Sequence, residues 1–332
     1  MNTNDRSEVV VVTGASAGVG RATARVFGEQ GARVALLARN RDGLEGACKE
    51  IEAAGGRALA LPTDVADPEQ VEAAAQRVEE EFGPIDIWVN VAMTTVFSEL
   101  KDISPEEFKR ATEVTYLGYV YGTMSALRRM LPRDKGTIVQ VGSALSYRAI
   151  PLQSAYCGAK FAVRGFTASV RTELMHQGSN VHITMPQLPG LNTPQFDHCR
   201  SKMAYHPQPV PPIYQPEVAA DAIYWSAHHK RREMYVGTSS VLTILGNKVA
   251  PGLVARYLAR TAYQSQQTAE PVEGSYREGN LFEPQSGDPG AHGSFDGQSY
   301  ESSPQVWATK NRGLLALAGA GAVAAALLRG LR

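Results

Sequence analysis

Read for its hydrophobic and polar positions, the chain alternates two signals: short β-branched runs, and longer stretches with apolar residues three and four apart. Val9 to Val12 is a strand buried on both faces, followed by a helix over Arg21 to Gln30 that stops at Gly31. Further strands are expected at Arg33 to Ala38, Arg57 to Leu61, Ile85 to Val91, Gly136 to Val141, Val181 to Met185 and Met234 to Val236. Helices fall between them, over Asp42 to Ala54, from Asp67 to Phe82, from Ser104 to Pro132, through Tyr156 to His176, and over Glu217 to His229. Asp67-Pro68-Glu69-Gln70 supplies a cap, a first-turn proline and a glutamine able to reach back. Leu253 to Arg260 closes the globular part as a helix. Strands and helices in this alternation predict an α/β fold, a doubly wound parallel sheet with ligands outside the carboxyl ends of its strands.

Three stretches depart from the alternation. Residues 194–216 are proline-rich and too long for a plain connection, which predicts a substrate-covering lid. After a catalytic domain over 1–260, residues 261–312 turn to Gln, Ser, Gly, Pro and acid, a composition that cannot bury a core of its own; it reads as a low-complexity linker or as a strap on the domain. The apolar run at 313–328, within a C-terminal helix over 313–332, gives about 24 Å of helix against a hydrocarbon core of about 30 Å. It reads as a membrane anchor, as a packing helix or as disordered chain.

Lysine and arginine (33) balance aspartate and glutamate (33), which gives no electrostatic case for a nucleic-acid partner. Cys48, Cys157 and Cys199 lie far apart, with neither metal-ligand spacing nor a disulfide framework, as suits a reducing cytoplasm. No metal is expected, and the polar N-terminus running straight into a strand reads as lacking a signal peptide. The 313–328 run would attach the protein to the inner face of a membrane.

Chemistry concentrates at strand ends. Thr13-Gly14-Ala15-Ser16-Ala17-Gly18-Val19-Gly20 joins the first strand to the first helix. Glycines there let the backbone approach a pyrophosphate, and the helix start offers N–H donors and a positive dipole end. At the end of the second strand, where an acid would hold the ribose hydroxyl of NAD, stands Arg39, which suits the phosphate of NADP(H). Tyr156 and Lys160 are four apart on one helix face, so the ammonium can favour the phenolate of a potential acid. Tyr147, Leu152, Gln153, Phe196 and Tyr214 are candidates for a substrate pocket.

With Thr-Gly-x-x-x-Gly-x-Gly at 13 to 20, Asp64-Val65, Asn90, Ser143, Tyr156-x-x-x-Lys160 and Pro189-Gly190-x-x-Thr193, the chain resembles the short-chain dehydrogenase/reductase family over about residues 7 to 250. The resemblance implies that Tyr156 is the acid of carbonyl reduction or the base of alcohol oxidation. It implies that Lys160 lowers the tyrosine pKa and holds the nicotinamide ribose, and that Ser143 holds the substrate oxygen. Gly14, Ser16, Gly18, Val19, Gly20, Arg39, Asp64, Val65, Asn90, Ala92, Pro189, Gly190 and Thr193 are the expected cofactor contacts besides Tyr156 and Lys160. It also implies a homodimer or homotetramer acting on a small carbonyl or alcohol, expected here to be hydrophobic.

Two positions depart from the family pattern. Met93 stands where the family has the glycine of Asn-Asn-Ala-Gly, and Thr115 where an asparagine helps relay protons. They keep open a second reading, a non-catalytic dinucleotide-binding sensor or scaffold.

Overall fold

The computed structural model describes residues 7–272, 276–313 and 315. Its centre is a parallel sheet built from β1 (Val9–Thr13), β2 (Arg33–Ala38), β3 (Arg57–Pro62), β4 (Ile87–Asn90), β5 (Thr137–Gln140), β6 (His182–Leu188) and β7 (Glu233–Tyr235). The spatial order is β3-β2-β1-β4-β5-β6-β7, and a short Gly142–Ser143 strand lies beside the end of β6. Between β1 and β4 the winding reverses, which opens a crevice at the carboxyl ends.

The valine run of β1 explains the two layers. Val10 and Val12 point to the face covered by α1 (Gly18–Glu29) and α2 (Arg41–Ala53), packing with Phe27, Leu44 and Ile51. Val9 and Val11 point the other way, among Val71, Val78, Met130 and Leu174. Those side chains come from α3 (Pro68–Phe82), α5 (Gly118–Met130) and α6 (Ser154–His176). Successive strand residues serve opposite faces, so an unbroken apolar run needs helices on both.

The long helix expected from Ser104 to Pro132 is interrupted. It begins as α4 (Pro105–Thr112), with Ser104 and Glu107 forming a reciprocal cap, then widens to one π turn over Glu113–Leu117 before continuing as α5. After α7 (Pro216–His228) and β7 come two helices where the sequence suggested one: α8 (Thr238–Val249) and α9 (Pro251–Ser265), parted by Ala250-Pro251.

Residues 194–216 carry a short helix at Gln195–His198 and three short strands. They are sewn to the chain's later part: Tyr205–Pro207 pairs with Gln267–Pro271, and Ile213–Tyr214 pairs with Ser299–Tyr300. Arg277 donates to the carbonyls of Phe196 (2.7 Å) and Cys199 (2.9 Å). Within 261–312, residues 261–265 finish α9, 276–300 cross the domain as a strap, and α10 (Pro304–Lys310) ends with Lys310 paired to Asp221. No helix among the described residues is long and apolar enough to cross a membrane. Most of the 313–328 run expected as an anchor lies outside the described residues.

Candidate active site

The glycine turn is shaped by contacts that exclude side chains. Gly14 adopts φ +68°, and a Cβ there would meet the Ala92 Cα at 2.7 Å; a Cβ on Gly20 would meet the Gly14 carbonyl oxygen at 2.2 Å. Thr13 ties the turn to the neighbouring strand, its hydroxyl accepting from the amides of Val91 (3.0 Å) and Ala92 (3.2 Å). The first turn of α1 thereby faces the crevice.

The crevice is a cleft of about 730 Å³. Gly14, Ser16, Gly18, Val19, Gly20, Arg39, Asp64, Val65, Ala92, Pro189, Gly190 and Thr193 line it, as do Met93, Ser143, Tyr156 and Lys160. Hence the glycine turn, the ends of β2 and β6 and the tyrosine-lysine face of α6 open into one space. The hydroxyls of Thr94, Thr95, Ser239 and Ser240, buried and without a protein partner among the described residues, belong to its lining residues. A dinucleotide fits this combination of a glycine cradle, an extended cleft and unpaired polar atoms.

Ser143 closes the Gly142–Ser143 strand, where its Oγ accepts from the Leu145 amide at 3.1 Å. Its hydroxyl also reaches the Tyr156 phenol, opposing the burial that pushes the tyrosine pKa well up. Lys160, 2% exposed, sits one turn after Tyr156, with Nζ 5.7 Å from the Tyr156 ring centre. Nζ donates to the Val141 carbonyl and to the Tyr119 hydroxyl, both at 2.8 Å. Burial depresses the lysine pKa to about 7, so the neutral amine competes with the ammonium near neutrality.

Tyr119 is the residue that sequence reasoning missed. It lies on α5, is 1% exposed, and donates to the Val141 carbonyl at 3.0 Å, completing a triangle with Lys160. Thr115, expected near the lysine as a relay, instead spends its hydroxyl on Thr94: it donates to the Thr94 carbonyl at 2.8 Å and accepts from the Thr94 amide at 3.0 Å. The π turn carries Thr115 to that contact, and it does not line the cleft.

Asn90 also stands elsewhere than expected. It is 0% exposed; its amide nitrogen faces Gln140 (3.0 Å) and Thr123 (3.3 Å), and its oxygen accepts from Trp88 Nε1 (2.9 Å). It knits β4 to β5 and α5 rather than lining the cleft. Arg39 does line it, but its guanidinium is engaged, donating to the carbonyls of Asn280 (2.6 Å) and Phe282. Asp64 accepts from Arg110 at 2.5 Å. Of the substrate-pocket candidates, Gln153 and Phe196 line the cleft. Leu152 packs with Phe97 and Cys199, Tyr214 joins the main core, and Tyr147 bonds Glu233 beside a separate cavity.

Comparison with known proteins agrees with this architecture. A family model described as short chain dehydrogenase matches residues 8–203. The uncharacterized oxidoreductase YxnA of Bacillus subtilis is 34% identical over 268 residues, covering 80% of this chain and 75% of that protein. The 3-ketodihydrosphingosine reductase of Bos taurus is 34% identical over 192 residues, 56% of this chain and 57% of that protein. Among solved structures, an alcohol dehydrogenase from Thermococcus sibiricus complexed with 5-hydroxy-NADP superposes with a TM-score of 0.60 at 27% identity, over 70% of this chain and 96% of that one. A metagenomic short-chain oxidoreductase in complex with NADP gives 0.59 at 26% identity, over 70% and 97%.

Proposed function

From the premise that this chain belongs to the short-chain dehydrogenase family, we propose that it is an NADP(H)-dependent oxidoreductase interconverting a ketone or aldehyde and an alcohol. The observation that carries the proposal is the convergence of Ser143, Tyr156 and Lys160 on one cleft with the glycine turn. The two NADP-type complexes among the structural neighbours favour the phosphorylated cofactor, as does an arginine at the end of β2.

Gly14, Ser16 and Gly18 to Gly20 would hold the pyrophosphate, Arg39 the adenosine ribose with its phosphate, Asp64 and Val65 the adenine, and Pro189, Gly190 and Thr193 the nicotinamide. When bound, that ring supplies or accepts the hydride. The protein orients and moves the proton. The Ser143 hydroxyl holds the substrate oxygen and the Tyr156 hydroxyl gives it a proton in reduction, or takes one in oxidation. A Lys160 ammonium favours the tyrosinate left behind, and the Tyr119 hydroxyl and Val141 carbonyl fix where that ammonium sits. Ile150, Phe196, Leu242, Val254, Tyr257 and Leu258 line the same cleft, which favours a hydrophobic substrate.

The test is NADPH oxidation against a panel of hydrophobic ketones and aldehydes. Tyr156→Phe is expected to lower turnover by about 10²- to 10⁴-fold while NADPH still binds. Undiminished turnover would remove Tyr156 from the mechanism. Binding without turnover of any substrate would favour the sensor or scaffold.

A further inference from the structure

Residues 280–290 run along the outer edge of the cleft on ties that no cofactor motif includes. Three successive carbonyls face two arginines: Arg39 takes those of Asn280 and Phe282, and Arg110 Nε donates to that of Leu281 at 3.3 Å. The Leu281 side chain is 0% exposed, packed with Val96, Ala111 and Ala155. Further on, Asn40 donates to the Gly287 carbonyl (3.0 Å), the Gly287 amide to Asp42 (2.8 Å), and the Gly18 amide to the Gly290 carbonyl (3.1 Å). Asp288 pairs with Arg21, which is 3% exposed and also holds Glu50 at 2.8 Å. These contacts land on the glycine turn, on the segment from the end of β2 into α2, and on α1 and α4, the elements that surround the adenosine half of the cleft. Asn280, Pro284, Gln285 and Pro289 line the cleft, yet about 730 Å³ of it stays open. The segment is therefore a wall and not a plug.

We propose that residues 280–290 form a clasp that completes the adenosine side of the cleft and gates exchange of the dinucleotide. This rests on the reading above that the cleft takes a nicotinamide dinucleotide. A ligand reaching from the glycine turn to Arg39 and Asp64 lies beneath the segment, so its release requires the clasp to lift. Lifting breaks the carbonyl bonds to Arg39 and the Arg21–Asp288 pair. Asp288 is the natural latch: 43% of its side chain is exposed, while its partner is buried and keeps Glu50 when the latch opens. The clasp also positions Arg39. Two of the five guanidinium N–H groups hold carbonyls, which leaves others for a phosphate and restricts the direction in which the fork points.

A reversible cross-link tests the gate in the full-length chain. A Cβ built on Gly46 would lie 2.7 Å from the Asp288 carboxyl carbon, so cysteines at the two positions are within disulfide reach. In a Cys48→Ser background, Gly46→Cys with Asp288→Cys is expected to exchange NADPH at least tenfold more slowly when oxidised than when reduced, by stopped-flow fluorescence, with reductant restoring the rate. Asp288→Ala, which opens the latch, is expected to release NADPH about tenfold faster than the parent. Equal rates in the oxidised and reduced pair, or unchanged release from Asp288→Ala, overturn the clasp alone. Absence of NADPH and NADH binding in the uncrosslinked parent overturns the dinucleotide reading and the clasp with it.

Discussion

Replacing Lys160 by methionine should stabilise the protein while abolishing its chemistry. The lysine is fully buried, and burial lowers its pKa from 10.5 to about 7. At about 1.4 kcal/mol per pH unit, the fall from 10.5 to about 7 costs about 5 kcal/mol for a fully charged lysine and about 4 kcal/mol at pH 7, where part of the folded lysine is neutral. The two hydrogen bonds to Tyr119 and Val141 return about 1 kcal/mol each and vanish with the lysine. No buried group is orphaned, because the Tyr119 hydroxyl still donates to the Val141 carbonyl at 3.0 Å. The net expectation for Lys160→Met is a gain of about 2 kcal/mol at pH 7. The sign with pH is specific. Between about 7 and 10.5 the unfolded lysine binds more proton than the folded one, so wild-type stability rises with pH through that window. The variant lacks this slope, so its advantage shrinks as pH rises and turns into a deficit before pH 10.5. Urea unfolding followed by tryptophan fluorescence at several pH values from 6.5 to 10 reads both curves, and their difference cancels titrations common to the two proteins. Parallel curves, or a variant less stable at every pH, would show that burial of the ammonium is not the governing cost.

Two further substitutions probe the cofactor side. Gly20→Ala places a methyl 2.2 Å from the Gly14 carbonyl oxygen, so the turn must open; NADPH affinity should fall at least tenfold (about 1.4 kcal/mol) in a fluorescence titration, and unaltered affinity would reject the turn as the phosphate cradle. Arg39→Asp should shift the ratio of NADPH to NADH affinity towards NADH, and an unchanged ratio would refute the phosphate role of Arg39.

What the sequence showed of this site, and what it hid, divides by the range of the forces involved. The strands and glycine turn were legible because their causes are local: β-branched runs need cover on both faces, and Gly14 and Gly18 sit at φ +68° and +54°, backbone that favours glycine. Tyr156 and Lys160 were legible because helical periodicity alone puts them on one face. Tyr119 was not, since its meeting with Lys160 joins residues 41 apart across a helix widened by a π turn that no residue type announces. Asn90 misled for the related reason that an amide at a strand end serves equally well inside the sheet, and Trp88, Thr123 and Gln140 claim it there. The strap was the least legible. Its polar composition shows only that it cannot order itself, while its placement comes from contacts such as Arg39 with Asn280 and Arg21 with Asp288, 241 and 267 residues apart. The dependence runs one way: the folded domain supplies the arginines, Arg21 buried and Arg39 half-buried, and the strap supplies carbonyls and a carboxylate that water could otherwise solvate. Loss of the strap should therefore leave the sheet standing, whereas loss of Arg21 or Arg39 from the domain should loosen the strap, and the wall the strap forms is the part of the cleft most easily altered without disturbing Ser143, Tyr156 and Lys160.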